Sequence, residues 1–108
     1  MVFISPIKTL FWKTFTLDSL FAYKFENKKI SKKSKAVIYT QMNGRLGQIK
    51  EIKRICSENK IFLIEDAAHA IGTYSGNQHA GNIGIAGSFS FSMPKLITMG
   101  QGGAIVTN

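Results

Sequence analysis

Cysteine is almost absent: Cys56 stands alone among 108 residues. A single thiol excludes a disulfide within the chain and a cysteine-based zinc site. Histidine is scarce as well, at His69 and His79 only. Two imidazoles without a third ligand at metal spacing argue against zinc. Long apolar runs are also missing. Met1–Trp12 is apolar, but Lys8 interrupts it, and it is shorter than the roughly 20 residues of a membrane-spanning helix. It shows no small-residue cleavage site of the kind that ends a secretory leader. The expectation is a cytoplasmic protein.

Positive charge is nearly exhausted after Lys60. Residues 1–60 carry 13 of the 14 basic side chains against Asp18, Glu26, Glu51 and Glu58, a balance of +9. Residues 61–108 carry Lys95 alone against Glu65 and Asp66. A basic front half can be a patch for nucleic acid or anionic lipid. It can equally be a solvated lysine face. No aromatic interleaving or nucleic-acid motif accompanies the lysines, which favours the solvated face. A basic, non-catalytic binding module stays as an alternative.

What is present is a globular composition, 44% hydrophobic, sized for one small domain. Residues 1–23 are rich in apolar side chains without a clean period, and both a strand-and-turn and a tail fit them. Ala36-Val37-Ile38-Tyr39-Thr40 reads as a short buried strand, followed by turn formers at Asn43-Gly44. Leu46, Ile49, Ile52, Ile55 and Cys56 recur at helical spacing, with polar residues between them. This predicts an amphipathic helix of about three turns, ended by Glu58-Asn59, with Asn59 as a left-handed cap. Ile61-Phe62-Leu63-Ile64 reads as a strand buried on both faces. Strand, helix, strand makes a βαβ unit with parallel strands. Gly72 to Gly87 reads as a turn-rich connection. Ser88–Phe91 alternates as a strand does. Gly100–Gly103 reads as a tight turn, and Ala104–Thr107 as a last strand.

Several residues could carry chemistry. Glu65-Asp66 follows the buried strand, and ligands in open α/β sheets sit beyond the carboxyl ends of the strands. An acid there can face a protonated ring nitrogen, or it can cap the turn. Lys95 lies in a sparsely charged, apolar-rich segment. Partial loss of hydration would make its amine a nucleophile able to condense with a carbonyl. The alternative is an exposed loop lysine. Ser88, Ser90 and Ser92 alternate toward one side of a regular strand. Their hydroxyls can hold a phosphate or form a polar face. His69, three residues after Asp66, can touch a cofactor ring or satisfy the local structure. Ser92-Met93-Pro94-Lys95 also fits the S-x-x-K nucleophile pattern of β-lactamases and penicillin-binding proteins. That pattern usually opens a helix, and its S-D-N and K-T-G partners are absent from the sequence.

Four segments, in order, resemble one family. Ile64-Glu65-Asp66-Ala67-Ala68-His69-Ala70 is similar to an E-D-A-A-[QH] strand end. Gly81 to Gly84 is similar to a G-x-x-G segment. Ser88-Phe89-Ser90-Phe91-Ser92-Met93-Pro94-Lys95 is similar to S-F-x-x-x-K. Gly100-Gln101-Gly102-Gly103 and Ala104–Asn108 are similar to a G-E-G-G turn and its strand. Together they resemble the DegT/DnrJ/EryC1/StrS family of sugar aminotransferases over residues 26–108.

The resemblance implies an α/β fold: a partial, mostly parallel sheet with a βαβ crossover, from the large domain of the aspartate-aminotransferase type (fold type I). Residues 1–25 match poorly, and the C-terminal small domain is expected to be absent. Pyridoxal 5'-phosphate is the implied cofactor. Lys95 would anchor it covalently and shuttle a proton to the substrate carbon. Asp66 would pair with the pyridine nitrogen, Ser90 would bind the phosphate, and His69 would contact the ring. The implied substrates are a nucleotide-linked keto sugar and an amino donor, commonly glutamate, in a homodimer. Gln101 stands where many members have Glu. A Gly-Thr/Ser phosphate turn and a ring-stacking aromatic have no counterpart. The expectation is a fragment that is inactive alone and gives no standing cofactor absorbance, or a gene remnant.

Overall fold

Short β-rich runs of the sequence assemble into one sheet. The structure is a computed structural model that describes residues 2–5 and 30–108. Its strands are β1 (Val2–Ser5), β2 (Ala36–Thr40), β3 (Phe62–Asp66), β4 (Tyr74–Ser75), β5 (Gln78–His79), β6 (Ala86–Ser90) and β7 (Gly103–Thr107). Among the described residues helix α1 spans Ile49–Glu58, and Met42–Gly44 forms a 3-10 turn. The five-stranded sheet has the order β1-β2-β3-β6-β7, while β4 and β5 pair as a separate hairpin. The central strands β2, β3 and β6 run parallel, and the edges β1 and β7 are antiparallel. Most of the unpatterned amino-terminal segment, residues 6–29, lies outside the described residues.

The βαβ unit explains where the core sits. Ile49, Ile52, Ile55 and Cys56 make one stripe of α1 and are all buried. They pack on Val37 of β2, Leu63 of β3 and Ile83 from the loop before β6. Burying an isoleucine side chain contributes about 1.5–3 kcal/mol, so this stripe dominates the helix's attachment. Glu51 and Glu58 both pair with Arg54 on the solvent side of α1.

Three readings of the sequence need correction. Asn59 is not left-handed, with φ −91°; that conformation falls on Lys60, φ 54°. Asn59 instead returns its side-chain amide to the carbonyl of Ile55 at 2.8 Å, capping the helix from within. The strand at Ile61–Ile64 begins one residue later and extends through Asp66, and Phe62 is 58% exposed. Only the face holding Leu63 and Glu65 is buried there, because α1 and the 81–84 loop cover that side. The segment Gly72–Gly87 is more than a connection: it contains the β4–β5 hairpin and the start of β6. His79 braces that hairpin by accepting the amide of Gly72 at Nε2 and donating from Nδ1 to the carbonyl of Ala80.

Candidate active site

Three parallel strands deliver their carboxyl ends to one edge of the sheet, where open α/β folds bind ligands. Thr40, Asp66 and Ser88 stand in register across β2, β3 and β6. Asp66 is the last residue of β3 and half-buried. Its Oδ2 accepts the Thr40 hydroxyl at 3.2 Å, and its Oδ1 accepts the Ala68 amide at 3.2 Å. The turn-capping role is therefore real. It occupies one lone pair on each oxygen and leaves the other free.

His69 follows on the turn after β3 and is exposed. Lys95 donates from Nζ to His69 Nε2 at 2.8 Å. An ammonium only donates, so in this contact Nε2 takes the acceptor role. The loop that carries Lys95 is pinned at its base. Phe91 N donates to Gly102 O at 2.8 Å, and Met99 N to Phe91 O at 2.9 Å. Ser90 closes β6, and its hydroxyl lies 3.1 Å from that of Ser92.

The fold thus brings Lys95 to His69, Asp66 to Thr40, and Ser90 to Ser92. Among the described residues no hydrogen bond joins Asp66 directly to Lys95. The S-x-x-K pattern does not act as one unit. Ser92 to Lys95 is a turn closed by Lys95 N donating to Ser92 O at 3.0 Å, no helix follows, and the amine turns to His69. Among the described residues no group of three or more side chains is arranged to hold a metal ion. None of their helices is long and apolar enough to cross a membrane.

Sequence reasoning missed the residue that braces this edge. Glu65 alternates with Asp66 and points to the opposite, covered face, where it is fully buried. Its carboxylate accepts four N–H groups: Gln41 Nε2 at 2.5 Å, Gly81 N at 2.8 Å, and Ile83 N and Gly84 N at 2.6 Å each. Two oxygens with four donors form a saturated anion hole made by the protein for itself. It ties the Gly81–Gly84 loop beneath β3 and so fixes the start of β6. The glycines permit the approach: a Cβ on Gly84 would collide with the carbonyl of Leu63, and one on Gly87 with the backbone of Gly81. The available signal was the acid beside Asp66 with Gly81 and Gly84 downstream.

Burial shifts the titration of two supporting groups, Tyr39 and Cys56. Burial pushes the Tyr39 hydroxyl up, against a hydrogen bond to the backbone near Gln48 that pulls it down. That hydroxyl donates to the carbonyl of Leu46 at 3.0 Å and secures the turn into α1. Burial alone pushes the Cys56 thiol up to about 11.

With this geometry in place, similarity to known proteins decides the family. The sequence pattern of the DegT/DnrJ/EryC1/StrS aminotransferase family matches residues 21–108. The chain belongs to this family. GDP-perosamine synthase of Vibrio cholerae is 41% identical over 81 residues, covering 75% of this chain and 22% of that protein. The aminotransferase TlmJ of Streptoalloteichus hindustanus superposes with a TM-score of 0.73 at 28% identity, over 75% of this chain and 22% of that one. The E. coli GDP-4-keto-6-deoxy-D-mannose-3-dehydratase with bound hydrated PLP superposes at 0.69 with 30% identity, over 75% and 21%. The chain spans about a fifth of the length of these relatives. Its sheet is part of the large domain of the fold type I aminotransferases in the DegT/DnrJ/EryC1/StrS family.

Proposed function

We propose that these residues form part of the cofactor-binding edge of a pyridoxal 5'-phosphate-dependent aminotransferase acting on a nucleotide-linked keto sugar. The carrying observation is the 2.8 Å contact between Lys95 and His69, on the edge where Asp66 ends its strand. The donor set suits this cofactor: an amine for its carbonyl carbon, a carboxylate with free lone pairs for its ring N–H, and paired hydroxyls for its phosphate. Bound there, pyridoxal phosphate supplies an electron sink that stabilises charge developing on a substrate carbon.

The chain's own residues do the rest. Lys95 would hold the cofactor through Nζ and, with an amino donor such as glutamate bound, would carry a proton to and from the substrate carbon at that same atom. Asp66 holds the proton on the ring nitrogen, since a carboxylate beside it favours the charged form. Ser90, with Ser92 beside it, donates to the phosphate. His69 keeps the amine at the sheet edge and would contact the cofactor's ring. Met93, Leu96, Ile97 and Met99, close to Lys95 in the sequence, are exposed apolar side chains, at 78%, 84%, 53% and 71%. Such a patch favours a covering partner, and a second copy of the chain fits that role. The reaction belongs to the cytoplasm. The 108 residues alone do not turn over, because they make up about a fifth of the length of working relatives.

The test is to mix the chain with pyridoxal phosphate, add borohydride, and weigh the protein. Borohydride fixes even transient adducts, so a pyridoxyl label on Lys95 is expected without a standing absorbance band. Lys95→Ala should lose that label. Equal labelling of Lys95→Ala and wild type would dismiss the site. Turnover of glutamate and keto sugar by the isolated chain would overturn the claim that it is inactive alone.

A further inference from the structure

Asp66 is held from two directions by groups of different origin. The Ala68 amide reaches Oδ1 from the same turn, so that contact follows from local chain geometry. The Thr40 hydroxyl reaches Oδ2 from the neighbouring strand, 26 residues away. Thr40 is the last residue of β2, paired in register with Asp66, and is 8% exposed. Its hydroxyl therefore arrives on a rigid strand, not on a flexible loop. Both oxygens must be engaged to fix a carboxylate's rotamer and its plane. The turn alone supplies one contact, and β2 supplies the second.

We propose that Thr40 is a positioning residue, which locks the Asp66 carboxylate in one rotamer so that its remaining lone pairs face the cofactor's ring nitrogen. This rests on the reading of Asp66 as the partner of that nitrogen. The strand alone needs no hydroxyl at position 40, since valine has the same shape and suits a strand equally well. What threonine adds is the donor. A carboxylate that swings between rotamers would meet the ring nitrogen only part of the time, and binding weakens by the fraction of time lost.

The full chain tests this through three-bond couplings from the Asp66 Cγ to its own backbone nitrogen and carbonyl carbon. Wild type and Thr40→Ser should show one dominant χ1 rotamer, and Thr40→Val should show averaging. A purely packing role would leave the couplings of Thr40→Val unchanged, and that result overturns the proposal. Thr40→Ala repeats the comparison if the valine variant does not fold. Borohydride trapping on the same proteins adds the cofactor: Thr40→Val should need about tenfold more pyridoxal phosphate to label half of Lys95, and Thr40→Ser should not. If wild type takes no label at Lys95 while the couplings still differ, the cofactor reading has failed and the proposed purpose of Thr40 with it. Equal labelling in the presence of a coupling difference shows that the rotamer lock does not serve the cofactor, which also overturns the proposal.

Discussion

Removing the Glu65 carboxylate should damage the fold far more than removing an ordinary surface acid. Glu65→Ala leaves Gln41 Nε2 and the amides of Gly81, Ile83 and Gly84 facing each other without an acceptor. Each buried, unsatisfied donor costs about 1–3 kcal/mol, and water entering the cavity recovers some of that. A net loss of roughly 4 kcal/mol or more is expected, against the about 5–15 kcal/mol that holds a typical domain together. Glu65→Gln is the more informative change. Its amide nitrogen can take the Oε2 position, where it opposes Gly81 N and Gln41 Nε2. Gln41 can answer by flipping, because its Oε1 is buried and has no hydrogen-bond partner. Gly81 N is then left without an acceptor, and the flipped Gln41 amide stands where its oxygen had no partner. The expected cost is about 2–3 kcal/mol, smaller than for alanine. Urea unfolding followed by circular dichroism reads both variants, with the slope compared to check that the unfolding transition is the same. If Glu65→Ala lies within about 1 kcal/mol of wild type, the four hydrogen bonds do not hold this loop and the reasoning fails.

Other consequences follow from the same supports. Gly87→Ala should destabilise by about 2 kcal/mol or more, because its Cβ meets the Gly81 backbone, which cannot rotate away; thermal melting would show it. Cys56 should resist thiol reagents in the folded chain and react fully in denaturant, and equal rates in both would refute its burial. Its thiol also sets a pH dependence. Below about pH 9 it is protonated in both states, and its stabilising contribution is complete. Between about 9 and 11 only the unfolded chain ionises, so stability falls, by roughly 3 kcal/mol at most. Denaturant titrations at pH 8 and pH 10.5 should show wild type losing more stability than Cys56→Ala.

Much of this architecture is legible in local patterns. The isoleucine spacing of 49, 52 and 55 announces α1, and Ala36–Thr40 announces β2, because both segments bury one face against the same core. The two-residue strands β4 and β5 leave no periodic trace, so the glycines around them look like plain loop. The left-handed residue falls on Lys60 because the helix already ends through the Asn59 side chain, an outcome set by competing local hydrogen bonds and not by propensity. At the site, the residue pattern places Asp66 at a strand end and leaves Lys95 open between a nucleophilic amine and an exposed loop lysine. Resemblance assigned the roles of Lys95, Ser90 and His69. The roles of Glu65 and Thr40 needed the structure, since each acts on a residue more than 15 positions away.

The central claim is that one amine and one carboxylate grip the same heterocycle. It is tested most directly by mapping borohydride labelling over all 12 lysines, in wild type and in Asp66→Ala. The account predicts that Lys95 takes up label ahead of the other lysines in wild type, and that the variant loses this preference while its other lysines label as before. Label spread evenly over the lysines, or a preference for Lys95 that survives the loss of Asp66, would contradict it.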